Sequence, residues 1–344
     1  IQDAVNAARD GNLVLVSNGV YDLGGAAASG LFACNRVLIT NAITLRGWQG
    51  PSHTTILGSP DLDTDGPGPG AVRCLYMTAG AVCDVTLSNG ATHIAWDWGW
   101  YPDDDYFDAS GGGALLRSGA LLSNCVVSAN VAFYDGGGIF ADSNSVIIYC
   151  AVTDNRIVCD YEYGGGICAF NSVHIIGCDV VRNVAYNGYG GGIYTDYDGV
   201  YIRDCRVAHN RAGYDGGGIC SYAMDTAPGL ISNCTVEANL LQGSWCRGGG
   251  IYARTFVAMV DSRVRENMSS HYAGGVYADY YSTLTRCQIT RNSAAYAGGL
   301  YISYYGTVDT CVISENIATN SSYGYYGGVY AYGNTLITQS DISR

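Results

Sequence analysis

Gly190-Gly191-Gly192-Ile193, followed a short way downstream by Cys205-x-Val207-x-x-Asn210, recurs at Gly164-Gly165-Gly166-Ile167 with Cys178, Val180 and Asn183. With the apolar residue after the glycines as register mark, the series runs Ala114, Ile139, Ile167, Ile193, Ile219, Ile251, Val276, Leu300, Val329. The steps are 25, 28, 26, 26, 32, 25, 24 and 29 residues. A period in the twenties that tolerates insertions marks a solenoid, in which each repeat forms one coil stacked on its neighbours. Alternation with period two then sets the faces of a coil. Ile193 and Thr195 point in and Tyr194 out, and Val200, Ile202, Cys205 and Val207 point in. Three short strands per coil predict an all-β, right-handed single-stranded parallel β-helix with three sheets around a narrow core.

Two further ladders follow from the same register. Cys83, Cys125, Cys150, Cys178, Cys205, Cys234, Cys287 and Cys311 share one slot, which Ser262 and Ser340 fill in other coils. Equivalent residues of adjacent coils lie about 4.8 Å apart, which is poor disulfide geometry. The expected state is a stack of reduced, small core side chains. The sequence leaves open whether the off-ladder Cys34, Cys74, Cys159, Cys168, Cys220 and Cys246 form disulfides. Asn130, Asn155, Asn183, Asn210, Asn239, Asn267, Asn292 and Asn316 form the second ladder, whose amides are expected to bond along the axis.

The chain reads as one domain over 1–344: a capping helix at 1–10, N-terminal coils at 11–90, a Trp- and Asp-rich insertion at 91–110, and regular coils at 111–344. Ile1, Ala4, Val5 and Ala8 have helical spacing, and Asp10-Gly11 is a stop. A net charge of -13 with no Lys leaves no basic stripe for nucleic acid. No apolar run reaches the roughly 18 residues of a membrane span.

The entry helix Ile1-Gln2-Asp3-Ala4-Val5-x-Ala7-Ala8, then Leu15-Val16-x-x-Gly19-x-Tyr21 and Ile43-Thr44-Leu45-Arg46-Gly47, resembles right-handed parallel β-helix proteins of the pectate-lyase-like superfamily. The C-terminal half also resembles the Gly-Gly-x-Ile repeats in passenger regions of polymorphic outer-membrane proteins. Those families carry Phe-x-x-Asn where this chain has Cys-x-Val-x-x-Asn, so their adhesin function does not carry over. The first resemblance implies chemistry on the solenoid face, where lyases of that superfamily use calcium and an Arg base.

Three places are expected to carry function. The step of 42 residues between Cys83 and Cys125 contains the insertion, with Trp96, Trp98, Trp100 and Tyr101 as candidate binding residues. Asp103, Asp104, Asp105 and Asp108 are candidate calcium ligands, and calcium is the one cofactor considered. The same acids could serve as paired carboxylates of a glycosidase. The residue after each register mark forms a column that includes Tyr194, Tyr252, Tyr277, Tyr301 and Tyr330. Its outward rings either stabilise the sheet or bind sugar rings or a protein. Finally, the chain stops in mid-coil at Ser340 to Arg344. An open coil predicts a continuing chain or a covering molecule, including self-association end to end.

The first functional expectation is an extracellular or cell-surface structural or adhesive module of bacterial type, presenting a Tyr-rich face to a glycan, a partner protein or copies of itself. The alternative is a secreted polysaccharide lyase or glycoside hydrolase.

Overall fold

The computed structural model describes residues 1–94, 105–197, 199–225, 227–320 and 326–343, with Asp105 described by its backbone only. Three twelve-stranded sheets run the length of the chain, each strand bonded to its counterpart one coil away. We number them by their order in one coil: sheet 1 contains Ile193–Asp196, sheet 2 Tyr201–Arg203 and sheet 3 Arg206–Ala208. Pairing is parallel, with Ile167, Ile193, Ile219 and Ile251 in register along sheet 1, apart from an antiparallel start at Ala26↔Asn35. A fourth sheet of eight two- to five-residue strands, Arg211–Ala212 among them, lies beyond the three expected. It exists because the chain stays extended briefly after each Asn corner before returning to glycine. Such short segments leave too little alternation to read.

The corners explain the motif. Asp204 and His209 adopt left-handed backbone (φ 57° and 56°) immediately before Cys205 and Asn210. Cys178 Sγ donates to the carbonyls of Ile147 (3.6 Å) and Ile176 (3.4 Å), while its N–H donates to Cys205 Sγ at 3.4 Å. Ser262 does the same work, accepting from Cys234 N at 3.1 Å and donating to Val260 O at 2.9 Å. The slot therefore needs a small group that both donates and accepts, which is why Cys and Ser interchange. All fourteen cysteines, on and off the ladder, are free thiols.

At the second corner the Asn183 N–H and Nδ2 donate to Asn210 Oδ1 at 2.9 and 3.1 Å, and Nδ2 also reaches Val152 O at 2.8 Å. Gly192 packs on this corner of its own coil, where a Cβ would stand 2.8 Å from Asn210 Nδ2 and Val207 Cγ1. Gly190, at φ +63°, makes the turn that allows the approach. The two halves of the repeat motif thus meet across the coil.

Inside, one continuous apolar cluster runs from Val5 to Ile313. Helix α1 (Gln2–Ala7) closes its N-terminal end: Val5 is buried, and the Gln2 amide exchanges hydrogen bonds with the Leu38 backbone at 2.8 and 3.1 Å. No described helix is long and apolar enough to cross a membrane. The Arg residues near the Cys and Asn corners pair between coils, as in Asp154–Arg182 (2.7 Å), Asp261–Arg286 (2.7 Å) and the Arg206–Glu237–Arg265 bridge (2.8 and 2.6 Å). Each exposed pair contributes little by itself.

Candidate functional site

The outer face of sheet 1 gathers most of the chemistry. Its middle column is the one read from the sequence, but Tyr194 and Tyr252 are only 4% and 0% exposed. They belong with Phe140, Cys168 and Cys220 to a second apolar cluster outside the sheet. Alternation correctly turns these side chains away from the core; what it cannot show is a further layer over them. Tyr277, Tyr301 and Tyr330 are half-buried and stack at 4.3 and 4.8 Å. Rings packed face to face along the axis turn edges and hydroxyls, rather than free faces, to a ligand.

Two flanking columns build the covering layer. One precedes the glycine corner and reads Asp135, Tyr163, Tyr189, Asp215, Arg247, Tyr272, Tyr296; the other ends the strand and reads Phe170, Asp196, Tyr222, Arg254, Asp279, Ser303. Tyr163 stacks on Tyr194 at 4.2 Å, and the Arg247 guanidinium lies 4.6 Å over the Tyr252 ring. The sequence hides these columns because their residue types vary from coil to coil. The signal available was Asp-Gly-Gly-Gly-Ile at Asp135 and again at Asp215.

At one end of this face, the buried Asp135 carboxyl is hydrogen-bonded to the half-buried Glu162 carboxyl. Asp135 also accepts from the Tyr106 hydroxyl and, at 2.8 Å, from the Tyr163 N–H. Burial, followed by the Glu162 charge, holds Asp135 well above the usual carboxylate range; burial raises Glu162 as well, against the Asp135 hydrogen bond, which lowers it. The pair's proton therefore sits on Asp135, with Glu162 accepting from it, since two carboxyls in contact do not both ionise readily where water cannot screen them. Burial pushes the Tyr163 hydroxyl up to about 12 and those of Tyr106 and Tyr194 higher still, so all three are donors rather than bases at neutral pH. The folded protein holds the pair's proton more tightly than the unfolded chain does. Stability from the pair is therefore complete below the ordinary carboxylate range and is lost as pH rises through the raised values. Thermal melts across pH should show this loss in the native chain and a smaller one in Glu162→Gln.

Farther along, Asp215 and Arg247 form a largely buried pair: Nε to Oδ1 at 3.1 Å, Nη2 to Oδ2 at 2.7 Å. Burial opposes both charges. For Arg247 the bonds to Asp215 outweigh it and keep the guanidinium protonated. Arg254 is exposed, bonds the Tyr222 side chain and has no ion pair among the described residues.

Of the insertion, Trp96, Trp98, Trp100, Tyr101, Asp103 and Asp104 lie outside the described residues, as does the Asp105 side chain. Its end returns as a short helix, α2 (Asp105–Asp108), lying on sheet 1: Phe107 meets Phe140 edge-on at 6.0 Å and carries Arg117 4.0 Å over its ring. Asp108 is 1% exposed and accepts from the N–H groups of Phe32 (3.0 Å) and Ala33 (2.9 Å). It serves here as a buried anchor rather than an open ligand. No group of three or more His, Cys, Asp or Glu side chains is placed to hold a metal among the described residues.

A parallel solenoid with a titratable outer sheet defines the class. The chain belongs to the right-handed β-helix family, whose profile, described as "Right handed beta helix region", matches residues 106–259 and 161–342. Among curated proteins none matches the chain. Similar solved structures include the A-module of Azotobacter vinelandii mannuronan C-5 epimerase AlgE6, at 16% identity and TM-score 0.48, covering 100% of this chain and 93% of that one. The AlgE4 A-module from the same organism gives 14%, 0.46, 98% and 92%, and a pectin methylesterase from Yersinia enterocolitica gives 10%, 0.35, 99% and 89%. Likenesses of this degree concern the fold and say nothing about activity.

Proposed function

We propose that this protein cleaves an extracellular polysaccharide lying along the outer face of sheet 1, with the Asp135–Glu162 pair as the general acid: the proton held on buried Asp135 passes out through the solvent-facing Glu162. One observation carries the reading: the buried Asp135 carboxyl meets the half-buried, solvent-reaching Glu162 carboxyl on a face that tyrosines, Asp215, Arg247 and Arg254 also line, and burial raises both carboxyls. The pair's proton passes through Glu162 to the glycosidic oxygen as the C–O bond breaks with its electrons staying on that oxygen, a solvent water adds to the anomeric carbon, and the proton this water sheds restores the pair. Asp135, held by Tyr106 and the Tyr163 N–H, orients the acid. Direct contact leaves no room for water between the two carboxyls, so they are not the spaced pair of an inverting hydrolase.

The test is a panel of acidic and neutral polysaccharides assayed for new reducing ends and unsaturated products. Glu162→Gln should lower the rate by about 10²–10⁴-fold, and activity should fall as pH rises through the pair's raised range. A silent panel, or full activity in Glu162→Gln, defeats the reading.

A second reading, adhesion through an exposed aromatic ridge, is favoured by the corner after sheet 1. There Tyr280, Tyr281, Tyr304 and Tyr305 take left-handed backbone (φ 40° to 66°), where other coils use Ser143-Asn144 or Gly333-Asn334. Bulky residues pay strain at such φ values, yet the rings stand exposed and stack at 4.9 and 5.0 Å. Self-association seen by light scattering and lost in Tyr281→Asn with Tyr305→Asn would support this alternative.

A further inference from the structure

At the corner after sheet 1 the N–H groups of Phe256, Tyr281 and Tyr305 bond to the carbonyls of Tyr280, Tyr304 and Gly333 one coil on, at 3.0, 3.0 and 2.9 Å. This register stacks the three rings in one column, Phe256 on Tyr281 at 5.0 Å and 3°, Tyr281 on Tyr305 at 5.0 Å and 8°. Tyr281 and Tyr305 are 45% and 50% exposed. Among the described residues, only this pair and Tyr280–Tyr304 are face-to-face tyrosines with both rings exposed. Tyr304 is also hydrogen-bonded to Tyr332, which it meets edge-on at 5.3 Å. Tyr305 is less encumbered, because its column continues as Asn334, which brings no ring. Both tyrosines hold left-handed backbone (φ 59° and 66°), so the chain accepts strain to keep two phenols side by side in water.

We infer that Tyr281 and Tyr305 are a site of oxidative cross-linking, at which a peroxidase using hydrogen peroxide joins the two rings as dityrosine within one chain. Each phenol gives up one electron and its O–H proton. The two phenoxyl radicals then form one carbon–carbon bond between ring carbons ortho to the hydroxyls, and the hydrogen on each of those carbons moves to its own oxygen. The two electrons and two protons reduce one peroxide to two waters. A turn of both exposed rings about χ2 brings their facing Cε carbons edge to edge. No pocket is required, since the oxidant meets both rings at the surface. Phe256, on the other side of Tyr281, has no hydroxyl to oxidise, so the bond ties two coils and does not run further along the column. It closes a loop between residues 24 apart, which restricts the unfolded chain and couples the coils of Val276–Asp279 and Leu300–Ser303. The inference requires neither polysaccharide cleavage nor adhesion.

Treatment of the dilute full chain with a haem peroxidase and hydrogen peroxide tests the site. The monomer should become lighter by two hydrogen atoms, gain dityrosine fluorescence and melt at a higher temperature. Trypsin, cleaving after Arg265, Arg286 and Arg291, puts Tyr281 in peptide 266–286 and Tyr305 in peptide 292–344. These two peptides should be recovered joined, with fragmentation placing the bond on Tyr281 and Tyr305. Tyr305→Phe and, separately, Tyr281→Phe keep a stacked ring of the kind Phe256 already supplies, so each should abolish the bond while leaving the melting temperature of the untreated chain unchanged. A bond found at another pair, such as Tyr280–Tyr304 or the half-buried Tyr277–Tyr301, overturns the proposal. So do covalent dimers in place of the linked monomer, a bond that survives in both variants, or a linked chain that melts no higher. An uncoupled chain, under conditions that dimerise free N-acetyltyrosine amide, rejects it equally.

Discussion

Replacing Arg73 with methionine is expected to destabilise the N-terminal third of the solenoid by about 3 kcal/mol or more, the cost of leaving several buried acceptors without their donor. Arg73 is fully buried, and its guanidinium donates to Asn35 Oδ1 (2.8 Å) and to the carbonyls of Phe107 (2.6 Å), Asp108 (3.0 Å), Ser110 (2.8 Å) and Gly111 (3.0 Å). Burial lowers its pKa only to about 10, so it is a cation at neutral pH. Methionine matches much of the volume and none of the donors, leaving five acceptors without their common partner. Lysine should rescue little, since one ammonium cannot reproduce the planar fork. Hydrogen exchange gives the local readout: the Phe32 and Ala33 amides, held by Asp108, and the backbone of 106–111 should lose protection first. Unchanged protection there would show that the end of the insertion is fixed by its aromatic packing alone.

Asn210→Leu should cost about 3 kcal/mol or more, from orphaned buried groups rather than lost volume. Its Oδ1 receives both the N–H and the Nδ2 of Asn183, and its Nδ2 serves Val180 O (2.9 Å) and Asn239 Oδ1 (3.0 Å). The substitution cuts the ladder in the middle of the stack. Because each coil touches only its neighbours, the break should separate one unfolding transition into two. Differential scanning calorimetry would show it, and a single sharp transition at the native temperature would refute it.

These two positions also mark what could be read from sequence. The Asn ladder was legible because the same residue returns at the same place in coil after coil, and no other role suits a recurrent buried amide. Arg73 was not legible: four of its five partners lie 34 to 38 residues downstream in a segment without periodicity. The Tyr194 and Tyr252 column was found, with its direction relative to the core correct, yet its exposure was misjudged. Period two tells inside from outside only for the first layer. The side chains that cover it, Tyr163 and Arg247 among them, come from the corner before the glycines, where residue type changes freely. The sequence hides Asp135 and Glu162 for a related reason, since these neighbours in space on successive coils stand 27 residues apart in the chain.

The steps between register marks vary from 24 to 32 residues, while Ile219 still pairs with Ile251 and Val276 with Leu300. Extra residues leave as loops and return to the same height. The stack therefore behaves as a graduated ruler: whatever the loops do, groups on one column are separated by whole numbers of graduations. Excising one complete coil between Glu162 and Arg254 would move them closer by one graduation without reshaping either. Spacing along the outer face is thus set by counting coils, a quantity that duplication and deletion change in single units.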